Sequence, residues 1–390
     1  MGSHTFIPRD YDVFAGLDVD KRSISVTFTD HQGFLKSLRM PYSVGHLLSH
    51  VRKHFPDKKV AFAYEAGPTG YGLYDGLKAQ AYKCVIASPS MIPKAPGQRV
   101  KTNRLDSRGL SENLRGGQLK GIHVPSPVYR ELRHLTQLRD TLVSEAAAMK
   151  QRIKSLLLME GIEFPPAPAG SQWSLLVKEK LRKLPCSHPV RFKLDQLLDS
   201  LAFAEQQVLK TTKEIRRFCQ TDPELSQCIK YVMTVSGIGW IVASHLLARI
   251  GDWRELKNVR QLGGFLGLVP TEHSTGERTE RGAITHTGDG RLRSKLIQAS
   301  WSAIRQDGEL REFFRSVAKT HPRNIASRVA IVAVARKLSG RISVVLMKQR
   351  PYVVREKVQS APLTQEETVP QGTPRRQAEL GEKTSERFDP

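Results

Sequence analysis

Short runs of apolar and β-branched residues open the chain and predict strands, and helical spacings follow them. A turn segment, Asp30–Gly33, separates the second and third runs. The predicted strands are Val13–Asp18, Ile24–Thr29, Phe34–Met40, Val60–Tyr64 and Cys84–Ala87. The predicted helices are Val44–Phe55, Tyr71–Tyr82 and Leu105–Leu114. Three strands in a meander, followed by alternating strands and helices, predict an α/β domain with a mixed sheet over residues 1–125.

From residue 126 to 222 the apolar residues change to a three- and four-residue spacing that is typical of long amphipathic helices. A Pro- and Gly-rich segment, Phe164–Gly170, divides the region. The first apolar stripe contains Leu132, Leu135, Leu138, Leu142, Ala146, Met149, Ile153 and Leu156, and the second contains Leu194, Leu197, Leu201, Val208 and Ile215. We predict a long antiparallel coiled coil that mediates oligomerisation, although the stripes could also pack inside their own domain.

Residues 223–350 are predicted to be mainly helical, with Gly-rich stretches inside the helical pattern. Residues 351–390 are rich in Gln, Glu, Pro and Thr and contain few aliphatic residues, so we expect a disordered tail. The formal net charge is +23, with 61 Lys and Arg against 38 Asp and Glu. A charge of this size favours nucleic acid as the partner, and the alternative is a basic surface that is merely well solvated.

Several protein classes do not fit the composition. No apolar run approaches the roughly 20 residues of a membrane span, and the N-terminus has no signal-peptide core, so we expect a cytoplasmic protein. The four cysteines (Cys84, Cys186, Cys219 and Cys228) form no Cys-x-x-Cys pair, which argues against a zinc site and against a disulfide framework.

Three acidic residues stand where the predicted sheet ends. Asp18 ends the first strand, Glu65 follows a later strand, and Asp106 lies where the last helix of the α/β domain begins. Carboxylates grouped at one edge of a sheet bind Mg²⁺ or Mn²⁺, although any one of them could be an ordinary solvated or capping group. Asp20 is expected to point to the opposite face of its strand and is left out of the set.

Two further segments suggest contact with DNA. Gly237 and Gly239 flank Ile238 between two predicted helices, which is typical of a helix-hairpin-helix element whose backbone approaches phosphate. Beyond them, a polar loop rich in hydroxyl groups contains Ser274 and Thr275. The loop is flanked by arginines suited to phosphate contact, namely Arg278, Arg281, Arg291 and Arg293. A serine in such a loop could attack a phosphodiester, but it could equally belong to an ordinary turn.

Two sets of motifs in this chain resemble the IS110-type transposases. The first set is G-x-D at Asp18, E-A-x-G at Glu65, and K-T-N-x-x-D from Lys101 to Asp106; the second is the G-I-G hairpin, the Q-L-x-x-F-L-G-L-V-P run and the E-H-S-T-G series. The resemblance implies a RuvC-like RNase H domain with four acidic metal ligands. Asp18, Glu65 and Asp106 match three of these, and Asn103 stands at the position of the remaining aspartate.

The resemblance also implies a catalytic serine, for which Ser274 is the first choice and Thr275 the alternative. Lys101 and Arg104 are expected to contact nucleic acid. The family implies strand exchange through serine–DNA intermediates, a dimer or tetramer, and a bridge-type guide RNA, in a nucleoid-associated bacterial or archaeal protein. Two alternatives stay open, namely a metal-dependent RuvC-like junction endonuclease and a degenerate nucleic-acid-binding protein without catalysis.

Overall fold

A computed structural model of the chain describes residues 6–93, 103–166, 172–275 and 278–353. Its first part is built on a five-stranded sheet of β1 (Val13–Val19), β2 (Ser23–Thr29), β3 (Phe34–Pro41), β4 (Val60–Glu65) and β5 (Lys83–Ala87). The strand order is β3-β2-β1-β4-β5. β1, β2 and β3 pair antiparallel, whereas β1, β4 and β5 pair parallel. The predicted meander and mixed sheet are therefore confirmed.

Helices cover both faces of this sheet. α1 (Val44–His54) and α2 (Gly72–Ala79) pack on one face, and α3 (Asn103–Arg115) packs on the other. Side chains alternate between the faces of a strand, so Leu17 and Tyr64 face α1 and α2 while Phe14 faces α3. The alternation also places the even-numbered residues of β1 and the odd-numbered residues of β4 on the α3 side.

Two long helices follow, α4 (Pro127–Met159) and α6 (His188–Thr221), with the short helix α5 (Leu175–Arg182) between them. Arg139 of α4 donates to Thr212 of α6 and Lys150 pairs with Glu205, so the two long helices run antiparallel. We call α4, α5 and α6 the arm. Most of the predicted apolar stripes are buried in it, but Leu138 is about half exposed.

The remaining helices are α7 (Pro223–Met233), α8 (Trp240–Ile250), α9 (Gln261–Phe265), α10 (Gly290–Gln306), α11 (Gly308–Lys319) and α12 (Arg323–Lys348). Their common core takes in Tyr129 and Leu132 from α4 and Ile215 and Cys219 from α6. The ends of the two long arm helices thus pack into the C-terminal helices.

One part of the C-terminal region differs from its prediction. The polar segment around Ser274 was expected to be a loop, but it forms an antiparallel hairpin of β6 (Pro270–Thr275) and β7 (Arg278–Ile284). The segment is polar and rich in threonine, and it lacks the apolar alternation from which a strand is predicted.

Within the described ranges, no helix is long and apolar enough to cross a membrane. Lys101, the Pro-rich segment from 167 to 170 and the predicted tail from residue 354 onward lie outside the described residues.

Candidate active site

The acidic edge of the sheet begins with two neighbouring parallel strands. β1 and β4 pair in parallel with Leu17 opposite Tyr64, and the next residues along the two strands are Asp18 and Glu65. Because residues at the same register position share a face, both carboxylates project on the α3 side at the carboxyl ends of their strands. We call this edge, with the first turn of α3, the acidic rim.

α3 reaches the acidic rim because it lies directly on the backbone of β1. A Cβ atom added to Gly16 would lie 2.1 Å from the carbonyl oxygen of Ser107 and 2.3 Å from the amide nitrogen of Ser111. Only glycine allows this approach. It brings Asp106, in the first turn of α3, close to the end of β1.

Buried hydroxyl groups fix the position of α3 along the sheet. Ser107 and Ser111 each share a 2.8 Å hydrogen bond with a threonine of β2, namely Thr27 and Thr29, and Ser111 also donates to the carbonyl of Phe14. All four hydroxyl residues are buried. This contact was not predicted, although small residues spaced four apart on α3 and a lone glycine in β1 were the available signal.

Asn103 and Asp20 meet at the same edge. The Asn103 side-chain amide donates to a carboxylate oxygen of Asp20 at 2.7 Å, and Arg39 lies 3.9 Å from the same oxygen. Asp20, which was left out of the predicted set, directly follows β1, and this hydrogen bond places it beside Asn103. A carboxylate therefore stands beside the amide that replaces the fourth acid.

The donors at the acidic rim suit a divalent cation in kind, since hard oxygen ligands bind Mg²⁺ and Mn²⁺. Within the described residues, however, no three His, Cys, Asp or Glu side chains are grouped closely enough to hold one ion together.

Arg104, which was predicted to contact nucleic acid, is exposed at the start of α3.

The loop that follows Glu65 is held by Tyr64. Its hydroxyl donates to the carbonyl of Gly70 at 3.1 Å, and burial, the largest influence, raises the pKa of Tyr64. The phenol therefore stays protonated and keeps this bond across the ordinary pH range. The bond anchors the chain between Glu65 and α2.

The hairpin carries the second group of predicted residues. In its register Ser274 pairs with Thr279 and Thr275 pairs with Arg278. The side chains of Ser274, Thr275, Arg278 and Arg281 lie outside the described part of the structure.

Arg293 of α10, which was predicted to contact nucleic acid, forms hydrogen bonds to the segment that follows β7 and to the end of α9. Arg293 donates to the carbonyls of Leu266 and Thr287 at 2.9 and 3.1 Å, so it holds the segment that follows the hairpin. Asp289 caps α10 by accepting from the amides of Arg291 and Leu292. Arg291 itself is exposed at the start of α10.

The two glycines of the α7–α8 turn have different surroundings. Gly237 has a φ of +80°, and a Cβ atom there would lie 2.5 Å from the carbonyl oxygen of Ala299 in α10. Its amide donates to the side chain of Gln306 at 3.0 Å. Gly239 caps α8, is exposed, and has no atom near the position of an added Cβ. Packing inside the protein thus explains why position 237 is a glycine. Gly239 has no such packing and leaves the first turn of α8 accessible.

A largely buried ionic cluster joins the arm to the C-terminal helices, and no sequence pattern predicted it. Asp140 of α4 accepts hydrogen bonds from His245 of α8 at 3.1 Å and from Lys295 of α10 at 2.7 Å. Burial raises the pKa of Asp140, but these two donors outweigh it and lower the pKa to about 2. Asp140 is therefore ionised and fixes three helices relative to one another.

Comparison with known proteins gives matches in both halves of the chain. A family described as "Transposase", a DEDD transposase of the IS110 type, matches residues 15–160, and the family described as "Transposase IS116/IS110/IS902 family" matches residues 229–315. The first match contains the acidic rim and the start of the arm. The second contains the α7–α8 turn and the hairpin.

Individual relatives agree with these matches. A Sinorhizobium fredii transposase named y4qE is 33% identical over 243 residues, which cover 62% of this chain and 58% of that protein. The transposase for insertion sequence element IS1533 of Leptospira borgpetersenii is 22% identical, over 65% of this chain and 74% of its own length. The pilin gene-inverting protein of Moraxella bovis is 26% identical, over 45% and 54%. With two matched regions in the same order as the two sets of motifs, the chain belongs to the IS110 family of transposases.

Proposed function

We propose that this protein is a DNA transposase that cleaves and rejoins DNA through a covalent serine–DNA intermediate. The observation that carries the proposal is the pairing of Asp18 and Glu65 at adjacent strand ends, on the face where α3 brings Asp106. This acidic rim lies in one matched transposase region, and the hairpin with Ser274 lies in the other. Neither region alone has both an acidic site and a nucleophile.

In this proposal Asp18, Glu65, Asp106 and the amide oxygen of Asn103 would hold Mg²⁺ or Mn²⁺ after their side chains move closer together than they lie in this structure. When bound, such an ion supplies positive charge that stabilises oxygens at a reacting phosphate. Asp20 accepts a hydrogen bond from the amide nitrogen of Asn103, which leaves the amide oxygen available as a ligand.

Ser274 would act as the nucleophile. Its hydroxyl oxygen forms a bond to phosphorus, the bond from phosphorus to one deoxyribose oxygen breaks, and the leaving oxygen takes up a proton. Arg278, Arg281 and the exposed Arg291 would stabilise the added negative charge, because guanidinium groups pair with phosphate oxygens. Arg293 has a positioning role through its bonds to Leu266 and Thr287.

The rest of the molecule fits nucleic-acid partners. The net charge of +23 suits DNA and a bridge-type guide RNA, and Gly239 with the start of α8 suits phosphate contact in a helix-hairpin-helix element. We propose that the arm is an antiparallel coiled coil through which copies assemble as a dimer or tetramer. A nucleoid-associated location in the cytoplasm follows from these partners.

Trapping of the intermediate tests the proposal. Protein is incubated with radiolabelled element-end DNA and Mn²⁺, denatured, and run on a gel that separates covalent protein–DNA adducts. We expect an adduct with the wild-type chain and with Thr275→Ala, and none with Ser274→Ala. An adduct that survives Ser274→Ala but not Thr275→Ala would move the nucleophile to Thr275.

Two other results would reject the covalent mechanism. Cleavage that leaves free DNA ends and persists in Ser274→Ala would identify a junction endonuclease that uses water. The replacement of one acid by Asn103 favours a second candidate, a binding protein without catalysis. Absence of any cleavage, together with DNA affinity unchanged in Asp18→Ala, would support that candidate.

A further inference from the structure

A groove lies where the α/β part, the arm and the C-terminal helices meet. Its volume is about 600 Å³, and its lining includes Tyr71, His123, Arg133, Arg249, Phe265 and Gly288. Cavities of this size typically take one small organic ligand and are too small for a nucleic-acid duplex.

The groove adjoins both halves of the proposed active site along the chain. Tyr71 ends the loop that follows Glu65, and that loop is anchored by the bond from Tyr64 to Gly70. Gly288 lies four residues beyond Ile284, the last residue of the hairpin. The groove lining thus includes residues that follow the acidic rim and residues that follow the hairpin along the chain.

The charges in the groove favour an anion. Arg133 donates to the carbonyls of Ala248 and Arg249, and its pKa is lowered first by burial and then by the nearby charge of Arg249. Arg249 pairs with Asp289 at 2.5 Å. The described lining residues thus include two guanidinium groups, of Arg133 and Arg249, and one carboxylate, of Asp289. A phosphate would balance the remaining positive charge.

An aromatic side chain stands beside these arginines. Phe265 at the end of α9 is 45% exposed and is not among the side chains of the C-terminal core. Tyr71 also lines the groove, with the guanidinium of Arg130 over its ring at 5.2 Å. Exposed aromatic rings next to arginine are the usual platform for bases that are not stacked in a duplex.

We propose that the groove binds one unstacked nucleotide of single-stranded DNA, with its phosphate at Arg249 and Arg133 and its base against Phe265. The inference rests on the proposed function, since strand exchange requires DNA strands to leave their duplex. The site would hold a strand in place between the acidic rim and the hairpin.

Photocrosslinking tests this site. A 12-nucleotide single strand with one 5-iododeoxyuridine is bound to the full chain and irradiated, and the crosslinked peptide is identified by mass spectrometry. We expect attachment at Phe265 or Tyr71. Phe265→Leu should lower the affinity for the strand roughly tenfold, whereas Phe265→Trp should retain it because the ring is kept.

Phe34→Leu is the matched control, because Phe34 is a phenylalanine of β3 that is 49% exposed and lies outside the groove lining, so the variant should leave both crosslink and affinity unchanged. Crosslinks confined to peptides outside the groove, or equal affinity in Phe265→Leu, would overturn the proposal. An RNA strand of the same sequence that crosslinks at Phe265 as efficiently would overturn the assignment to DNA.

The outcome is separable from that of the serine mechanism. Ser274→Ala should crosslink like the wild-type chain, because the hydroxyl has no part in this site. A groove crosslink without any covalent adduct in the trapping experiment would sustain the groove and reject the serine mechanism. An adduct without a groove crosslink would support the serine mechanism and overturn the groove proposal.

Discussion

Asn103 is the residue at which this chain departs from the four-acid pattern of its family. Its amide lies 2.7 Å from a carboxylate oxygen of Asp20, which restores negative charge to that corner of the acidic rim without restoring a charged ligand at position 103. An amide oxygen binds a divalent cation more weakly than a carboxylate does, because it carries no net charge. In the proposed metal site, the affinity for the ion would therefore depend on the side chain at position 103.

Asn103→Asp should bind Mn²⁺ about tenfold more tightly than the wild-type chain, since it adds a fourth carboxylate. The measurement is the melting temperature over a series of Mn²⁺ concentrations, because an ion that binds only the folded state raises it. Asn113→Asp adds the same charge near the other end of α3 and should leave the Mn²⁺ dependence unaltered. An identical metal response in both variants would contradict a metal site at the acidic rim.

At the scale of elements, the seating of α3 on β1 decides whether Asp106 reaches the acidic rim. Gly16→Ala would place a methyl group 2.1 Å from the backbone of Ser107, so α3 must shift or the strand must move. We expect a loss of about 1–3 kcal/mol in the free energy of unfolding, measured by urea denaturation.

Gly109→Ala is the control for the same substitution within α3. Nothing lies within 4 Å of the added Cβ at Gly109, so alanine should stabilise the helix by up to about 1 kcal/mol. If Gly16→Ala proves as stable as Gly109→Ala, the close approach of α3 to β1 is not required for folding.

For the whole molecule, Asp140 couples the arm to the C-terminal helices. Its side chain is largely buried beside His245, which is 4% exposed, and removal of the carboxylate leaves Lys295 without its ionic partner and His245 without its acceptor. Asp140→Asn should therefore destabilise the protein by about 3 kcal/mol at pH 7.

The pH dependence of this loss has a definite sign. The pKa of Asp140 is about 2 in the folded protein, below its ordinary value, so its stabilisation is present above about pH 4 and is lost as the pH falls towards 2. The free energy of unfolding of the wild type and of Asp140→Asn is measured by denaturation from pH 7 downward. The difference between the two values should become smaller below pH 4. Asp199→Asn breaks an exposed ion pair with Arg182 and should cost less than about 1 kcal/mol throughout. A difference that stays constant with pH would refute the buried cluster.

Local pattern was enough for much of this fold. The five strands, the helices between them and the two long arm helices follow from the periodicity of apolar residues, because each buries one face against the next layer. The motifs at Asp18, Glu65 and Asp106 also follow from the sequence, since strand ends can be located from the apolar runs before them.

Only the tertiary structure decided which residues meet. The hydroxyl contacts of Ser107 and Ser111, the bond between Asn103 and Asp20, and the cluster around Asp140 join residues that are between 80 and 155 positions apart. The hairpin at Ser274 was not predicted because its sequence has no alternation of apolar and polar residues. The sequence by itself determined the elements and the candidate chemistry, and the three-dimensional packing determined which polar groups are paired, because burial makes pairing obligatory only between groups that the fold brings together.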